Sequence, residues 1–310
     1  FVFEPIESCL CTAAGRGPGS LLDDMYAIGV TILTLLTGQV PCQGMSDEEV
    51  LEAKLSKGCY AALAQQARIT LTVMEALRGL LNDDPMERWT LEDLGMWANG
   101  RRGSPIQQAV ESRAARSYSF MNKDHYTCRE LAQTMSENWD TAINIIRDGS
   151  VDTWLRRALG DDTKVNAMNE AKTVPADMDT DDNLVARSCI ALDSAAPIRY
   201  RGFRACVDGF ANVLAMHGES AATRNEFAQI MQYNLLGFWD ECQPRTRVDY
   251  VGLYRDLRRG REVMARTNSG EGIERVIYDL NPHIPCKSPL IDPYYVIEMD
   301  QLLPSMETMA

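Results

Sequence analysis

A nearly continuous apolar stretch near the start of the chain constrains the fold most. DDMYAIGVTILTLLTGQVP, from Asp23 to Pro41, begins with an acidic pair and ends in glycine and proline stop signals. Six apolar residues lie on every side of the helix that this stretch predicts: Ile28, Val30, Ile32, Leu33, Leu35 and Leu36. A helix that is apolar all round is enclosed by other protein. The stretch therefore predicts a buried central helix that acts as a scaffold.

The composition is that of a globular protein with about two domains. Of its 310 residues, 45% are hydrophobic and 24% are charged. A formal net charge of −13 disfavours broad attraction to nucleic acid or to an anionic membrane surface. Every apolar run in the sequence is shorter than the ~20 residues that a transmembrane helix needs. We therefore expect no membrane span, and the overall charge disfavours a nucleic-acid partner but leaves room for a local basic patch.

The nine cysteines are scattered, without a Cys-x-x-Cys pair. An odd number with this spacing fits reduced, mostly buried thiols better than disulfides or a zinc site. The three histidines are also far apart, so the sequence predicts no metal site. The front of the sequence has no positively charged, apolar signal segment, and we expect a cytoplasmic protein. The chain begins with Phe1 and is expected to be a piece of a longer polypeptide.

Capping signals mark several helix starts. Ser46–Glu49, Thr90–Asp93 and Thr127–Glu130 have the spacing of capping boxes. The first of these helices is expected to end at Gly58, and an amphipathic helix before the second box is expected to end near Asn82.

A glycine, proline and arginine linker at 100–108 predicts a domain boundary. Beyond it, one helix is expected to start at Thr127 and to end at Gly149, with Trp139 on its apolar face. SVDTWLRRALGD predicts a short helix anchored by Trp154. The acidic stretch 173–183 predicts an exposed loop.

The C-terminal part also favours helices. Helices are expected at 203–216, 223–236 and 248–264, while ERVIYDL and YYVIEM are expected to be strands or short helices. The sequence thus predicts a mainly α fold with three regions, 1–103, 104–172 and 173–310.

Two motifs resemble the large helical lobe of the protein-kinase fold. Asp24 to Val30, DMYAIGV, is similar to the Asp-x-Trp/Tyr-Ser/Ala-x-Gly-Val opening of that lobe's central helix. Asp83 to Thr90, DDPMERWT, is similar to the Asp-Pro-x-x-Arg-x-Thr turn between its last two helices. The resemblance covers about the first third of the chain and implies that region 1–103 is a kinase-like lobe. It implies structural roles for Asp24, Gly29, Asp84, Pro85 and Arg88.

The resemblance also implies partners for two of these residues. It gives Asp24 the role of holding the backbone of a catalytic loop, although an aspartate at a helix start is often only an N-cap. It gives Arg88 the glutamate of an Ala-Pro-Glu motif. No glutamate lies between Glu7 and Glu48, so Glu7 or Glu4 would have to take that place. A structural ion pair is favoured for Arg88 over contact with a substrate.

The groups that perform phosphoryl transfer are absent from the sequence. Gly-x-Gly-x-x-Gly, Val-Ala-x-Lys, His-Arg-Asp and Asp-Phe-Gly do not occur, and transfer depends on such groups to position and neutralise phosphates. We therefore expect a non-catalytic fragment of a bacterial serine/threonine kinase-like protein, a pseudokinase-type scaffold with a protein partner and no cofactor. In the alternative, the chain is part of an active kinase, and the upstream lobe of the parent binds Mg-ATP.

Two further stretches have compositions that are also found in ligand-binding sites, and they are interpreted differently. A basic run near the C-terminus interrupts the acidic chain: Arg255, Arg258, Arg259 and Arg261. It predicts a surface for an acidic protein partner, with a nucleic-acid-binding module as a further alternative. GRGPG, from Gly15 to Gly19, has glycines but lacks the Gly-Lys-Ser/Thr ending of a phosphate loop, so it predicts a flexible loop.

Overall fold

The computed structural model describes residues 1–65, 69–100, 112–243, 251–264, 266, 268, 270–282 and 284–309. This part of the protein is 62% helix and 4% strand. The predicted mainly α class is confirmed.

Six helices form the first hundred residues: α1 (Ile6–Cys9), α2 (Leu21–Thr37), α3 (Asp47–Lys57), α4 (Cys59–Leu63), α5 (Leu71–Leu80) and α6 (Leu91–Ala98). The predicted capping boxes at Ser46 and Thr90 both form, because each side chain accepts from the amide three residues later. Helix α3 is capped at Gly58, as predicted.

Helix α2 is buried on one side only, so the predicted burial on all sides is wrong. Val30 and Leu33 are fully buried, whereas Leu35 is 79% exposed and Leu36 is 54% exposed. The buried side packs on α5, where Gly29 lies against Leu80 and Leu81. The opposite side meets solvent because no described element packs over it.

The next group contains a hairpin and five helices: β1 (Tyr118–Phe120), β2 (Lys123–His125), α7 (Cys128–Glu137), α8 (Trp139–Arg147), α9 (Ser150–Trp154), α10 (Asp162–Lys172) and α11 (Asp181–Leu192). The capping box at Thr127 is confirmed. The single predicted helix is two helices, because Asn138 leaves the helical conformation (φ −121°, ψ 53°). A π-helical turn, Leu155–Leu159, follows α9.

The predicted acidic loop is shorter than expected. Thr180 caps α11, and Asp181 and Asp182 form its first turn. Two carboxylates at a helix N-terminus are stabilised by the backbone amides and the helix dipole. Acidic composition therefore marks the start of a helix here, and the loop interpretation of 181–183 is wrong.

The C-terminal elements are a second hairpin and six helices: β3 (Ile198–Tyr200), β4 (Phe203–Ala205), α12 (Phe210–His217), α13 (Ala221–Gln232), α14 (Leu235–Glu241), α15 (Val251–Met264), α16 (Ile273–Leu280) and α17 (Met299–Met309). Strands β3 and β4 are antiparallel, with Ile198 opposite Ala205. The helix predicted from Phe203 begins only at Phe210, and ERVIYDL belongs to helix α16. Residues 248–250 of the predicted helix at 248–264 lie outside the described residues.

The largest hydrophobic core contains residues from both predicted regions 104–172 and 173–310. Trp139 and Trp154, the expected anchors, are both buried in it. The Trp139 ring packs edge-on against Tyr200, with 5.8 Å between centroids. A second core holds α1, α2 and α5, and Ala196 from the loop after α11 belongs to it. This loop brings the later part of the chain against the Arg88 region.

Candidate functional site

The Arg88 side chain is at the centre of a buried polar cluster. Its Nη2 donates to Oε1 of Glu7 at 2.7 Å, and its Nε donates to the Asn82 carbonyl at 3.0 Å. Nη1 donates to the Leu22 carbonyl at 3.4 Å and lies 3.8 Å from Oδ1 of Asp23. One guanidinium therefore joins α1, the start of α2 and the turn after α5.

Electrostatics keeps this arginine charged. Burial alone would lower the pKa of Arg88, but the Glu7 carboxylate, with a smaller effect from Asp23, outweighs burial and raises that pKa above its ordinary value. The guanidinium carbon also lies 5.5 Å from the centre of the Tyr26 ring. The cluster is therefore a stable ion pair in a largely dry site.

Glu7 is the partner of Arg88, one of the two residues that the sequence left open. It lies two residues after Pro5, in the first turn of α1, where a carboxylate is favoured. Glu4, the other candidate, pairs instead with Arg16 at 2.5 Å.

Asp24 lies outside this cluster. It is exposed, and no hydrogen bond to its carboxylate is found among the described residues. Its interpretation as an N-cap is wrong, because Ser20 is the cap and Asp23 completes the capping box. Asp24 instead shares the exposed face of α2 with three apolar side chains, those of Leu21, Ile28 and Leu35.

The other three kinase-like positions have structural contacts. A Cβ on Gly29 would lie 2.9 Å from Cβ of Leu80, so α2 and α5 approach closely there. Asp84 accepts from the Met86 amide at 2.9 Å and thereby closes the turn. Pro85 follows Asp84 in this turn and lines a cavity beside Arg88.

That cavity has a volume of about 260 Å³ and lies between the Arg88 cluster and the later part of the chain. Residues 195–198 and 206–208 form its far wall. Its charged lining is mixed: Glu7, Arg16, Asp23, Arg88 and Asp208. Because charges of both signs are present, the lining does not select an anion or a cation.

The GRGPG stretch is anchored at its first glycine, whereas Pro18 and Gly19 at its other end are exposed, and its flexibility stays a prediction. Gly15 is buried, and its carbonyl accepts from the Cys206 amide at 2.9 Å. A Cβ at Gly15 would lie 2.1 Å from the Arg204 carbonyl oxygen, so only glycine fits without a shift. The glycine provides close packing between distant segments.

All nine cysteines are described and none forms a disulfide; four are buried and five are partly buried, so the prediction of reduced, mostly buried thiols holds in part. The buried ones are Cys9, Cys59, Cys128 and Cys189. Burial raises the pKa of Cys9 and of Cys189 to about 11, and these thiols stay protonated at neutral pH. The Sγ atoms of Cys11 and Cys206 lie 3.4 Å apart.

The basic run lies on α15, away from the Arg88 cavity. Leu257 and Gly260 are buried, so the arginines lie on the solvent side: Arg255, Arg258, Arg259 and Arg261. Arg255 pairs with Asp256 at 3.2 Å. The helix therefore presents a basic surface on an acidic protein.

Two features, a metal site and a membrane-spanning helix, are absent from the described residues. These residues contain no group of three or more His, Cys, Asp or Glu side chains arranged to hold a metal ion. Within the same residues, no helix is both long enough and apolar enough to cross a bilayer.

Comparison of the chain with protein families, with curated proteins and with solved structures gives no match. The resemblance to a kinase lobe therefore depends on the motifs and contacts of this chain alone.

Proposed function

We propose that the chain is a non-catalytic part of a serine/threonine protein kinase-like protein, in which it acts as a pseudokinase-type scaffold for a protein partner or for regulation. The Glu7–Arg88 ion pair carries this proposal. The resemblance implies that the turn arginine pairs with a glutamate after a proline, ahead of the central helix. Glu7 lies two residues after Pro5, with Ile6 between them, and precedes α2. Its order along the chain and its ion pair with Arg88 support the proposal, although the local sequence Glu-Pro-Ile-Glu differs from Ala-Pro-Glu.

The exposed face of α2 also supports it. On this proposal Asp24 is the residue that holds a catalytic-loop backbone, and it lies beside Leu21, Ile28 and Leu35. A mixed carboxylate and apolar face of this kind is suited to a covering protein segment, since large exposed apolar side chains gain free energy on burial. The segment proposed to cover it is the catalytic-loop half of a longer polypeptide.

The catalytic motifs of protein kinases are absent from this sequence, which favours the scaffold proposal for these residues. Without the lysine, the His-Arg-Asp aspartate and the Asp-Phe-Gly aspartate, these residues have no means to bind Mg-ATP in the kinase manner. The alternative is an active kinase in which an upstream segment supplies those groups and Asp24 supports them.

Phosphotransfer by the full-length polypeptide tests the proposal. The purified protein is incubated with Mg-ATP and a generic basic protein substrate, and incorporated phosphate is measured. We expect none above a no-enzyme control. Transfer that is lost in Asp24→Asn but retained in Asp93→Asn, a matched change in the capping box of α6, would establish the active-kinase alternative.

The basic face of α15 is the proposed docking surface for an acidic protein segment. Four exposed arginines favour it, and the net charge of −13 disfavours nucleic acid. Retention on heparin tests the nucleic-acid alternative. Retention that is unchanged in the double variant Arg258→Glu/Arg259→Glu excludes a role of this helix in polyanion binding.

A further inference from the structure

An acidic groove separates α3 from β2 and α7. It has a volume of about 500 Å³. Six carboxylates line it: Glu48, Glu49, Glu52, Asp124, Glu130 and Glu137. The only ammonium group in the lining is that of Lys123. The groove therefore concentrates negative charge at the junction of the first hundred residues with the helical part that follows.

Only two of the six carboxylates in the groove serve as helix caps. Glu49 and Glu130 are fixed by their capping boxes. Lys123 lies 3.7 Å from Glu52, but both side chains are more than half exposed, so water and salt screen that pair. Glu48 and Asp124 have no cationic partner within 4 Å among the described residues.

A buried amide provides a second, independent observation. Gln133 lines the groove and is only 7% exposed. Its Nε2 donates to Oε1 of Glu137 at 2.7 Å, which leaves Oε1 of Gln133 as a buried acceptor without a partner. Buried acceptors in folded proteins usually have a partner, and a donor group bound in the groove would satisfy this one.

The neighbouring polar groups do not supply that donor. His125 is held between the Tyr118 carbonyl (Nδ1, 3.0 Å) and the Thr134 hydroxyl (Nε2, 2.8 Å). The His125 ring and the Thr134 hydroxyl are thus already engaged with each other. The open acceptor and the surrounding carboxylates match a group with several donors and a positive charge, which is the chemistry of a guanidinium.

We infer that this groove binds an arginine-bearing basic segment of a protein partner. On this inference the Gln133 amide turns toward the groove so that its Oε1 accepts from a guanidinium, while the carboxylates of α3 and α7 neutralise that group and the charges beside it. A bound segment would contact both α3 and α7 and so connect two parts of the fold. The inference does not depend on the kinase-like proposal, because none of its residues belongs to the Arg88 cluster.

Fluorescence anisotropy of a labelled tetra-arginine peptide tests this. The triple variant Glu48→Gln/Glu52→Gln/Glu137→Gln spares both capping glutamates, and we expect it to raise Kd at least about tenfold at low salt. The matched control Glu298→Gln/Asp300→Asn/Glu307→Gln removes the same charge from exposed C-terminal residues and should change Kd by less than about twofold. A tetra-citrulline peptide keeps the donors without the charge and should not bind.

Gln133→Met separates recognition from bulk charge. It removes the unsatisfied acceptor together with the Nε2 hydrogen bond to Glu137, so these two effects on the urea midpoint oppose each other, while Kd should rise about threefold or more. The inference would be overturned by equal increases in Kd in the two triple variants, or by an unchanged Kd in Gln133→Met. Absence of wild-type binding at low salt would overturn it as well.

Discussion

Nη2 of Arg88 donates at 2.7 Å to Oε1 of Glu7, a residue 81 positions earlier in the chain. The arginine side chain is fully buried, and that of Glu7 is 12% exposed. The contact fixes the start of the chain against the turn after α5. It is also the geometric basis of the kinase-like proposal.

Removal of either partner of this pair should be strongly destabilising. Glu7→Leu and Arg88→Leu should each lower the free energy of unfolding by about 3–5 kcal/mol, because the remaining charge is left buried and unpaired. The double variant should lose clearly less free energy of unfolding than the sum of the losses in the two single variants. Urea denaturation of the four proteins measures the coupling, and additive losses would show that the pair does not act as a unit.

Truncation of two leucines on α2, one buried and one exposed, should have very different effects on stability. Leu33→Ala should cost about 2–5 kcal/mol, because Leu33 is fully buried and a cavity remains. Leu35→Ala should change stability by no more than about 0.5 kcal/mol, since Leu35 is 79% exposed. Denaturation midpoints of the two variants measure these changes in stability. A large loss of stability in both variants would mean that α2 is enclosed on both sides.

Gly29 should not tolerate a side chain. Gly29→Ala should cost about 1–3 kcal/mol, because its Cβ would lie 2.9 Å from Cβ of Leu80. Gly95→Ala on α6 is the control, since nothing lies within 4 Å of its added Cβ. That variant should gain about 0.5–1 kcal/mol from helix propensity. A neutral Gly29→Ala by thermal denaturation would contradict the close approach of α2 and α5.

Alkaline pH should weaken the fold through buried thiols. Burial raises the pKa of Cys189 from 9.0 to about 11. Between these values the unfolded chain has released the proton and the folded protein retains it, so stability falls as pH rises, by at most about 1.4 kcal/mol per pH unit for this thiol. Cys189→Ala should make that decline shallower. Urea titrations from pH 7 to 11 measure the free energy of unfolding of the wild type and of Cys189→Ala. The same decline with pH in both proteins would refute the effect.

Local features of the fold could be predicted from the sequence because their causes are local. The capping boxes at Ser46, Thr90 and Thr127 need only residues three positions apart, and all three form. The break at Asn138 could not be predicted, because apolar spacing continues through it from Met135 to Trp139.

Features that depend on neighbouring elements were harder to predict. The apolar pattern of α2 is identical whether or not a second layer covers it, so its exposed side could only be found from the packing. The sequence reduced the partner of Arg88 to Glu7 or Glu4, and only the observed contacts identify Glu7, because Glu4 pairs with Arg16. The acidic groove was missed because its carboxylates come from segments about eighty residues apart. The charge run on α3 was its only local signal.

We propose that these residues form a kinase-like lobe without catalytic function of its own. The most direct test is the amino-acid sequence of the native polypeptide on the upstream side of Phe1. Peptide sequencing by mass spectrometry of the native protein provides that sequence. The account predicts an upstream kinase-like segment in which the catalytic lysine, His-Arg-Asp or Asp-Phe-Gly is replaced. An intact set of all three would contradict the scaffold function, and an upstream segment with no kinase-like pattern would contradict the lobe itself.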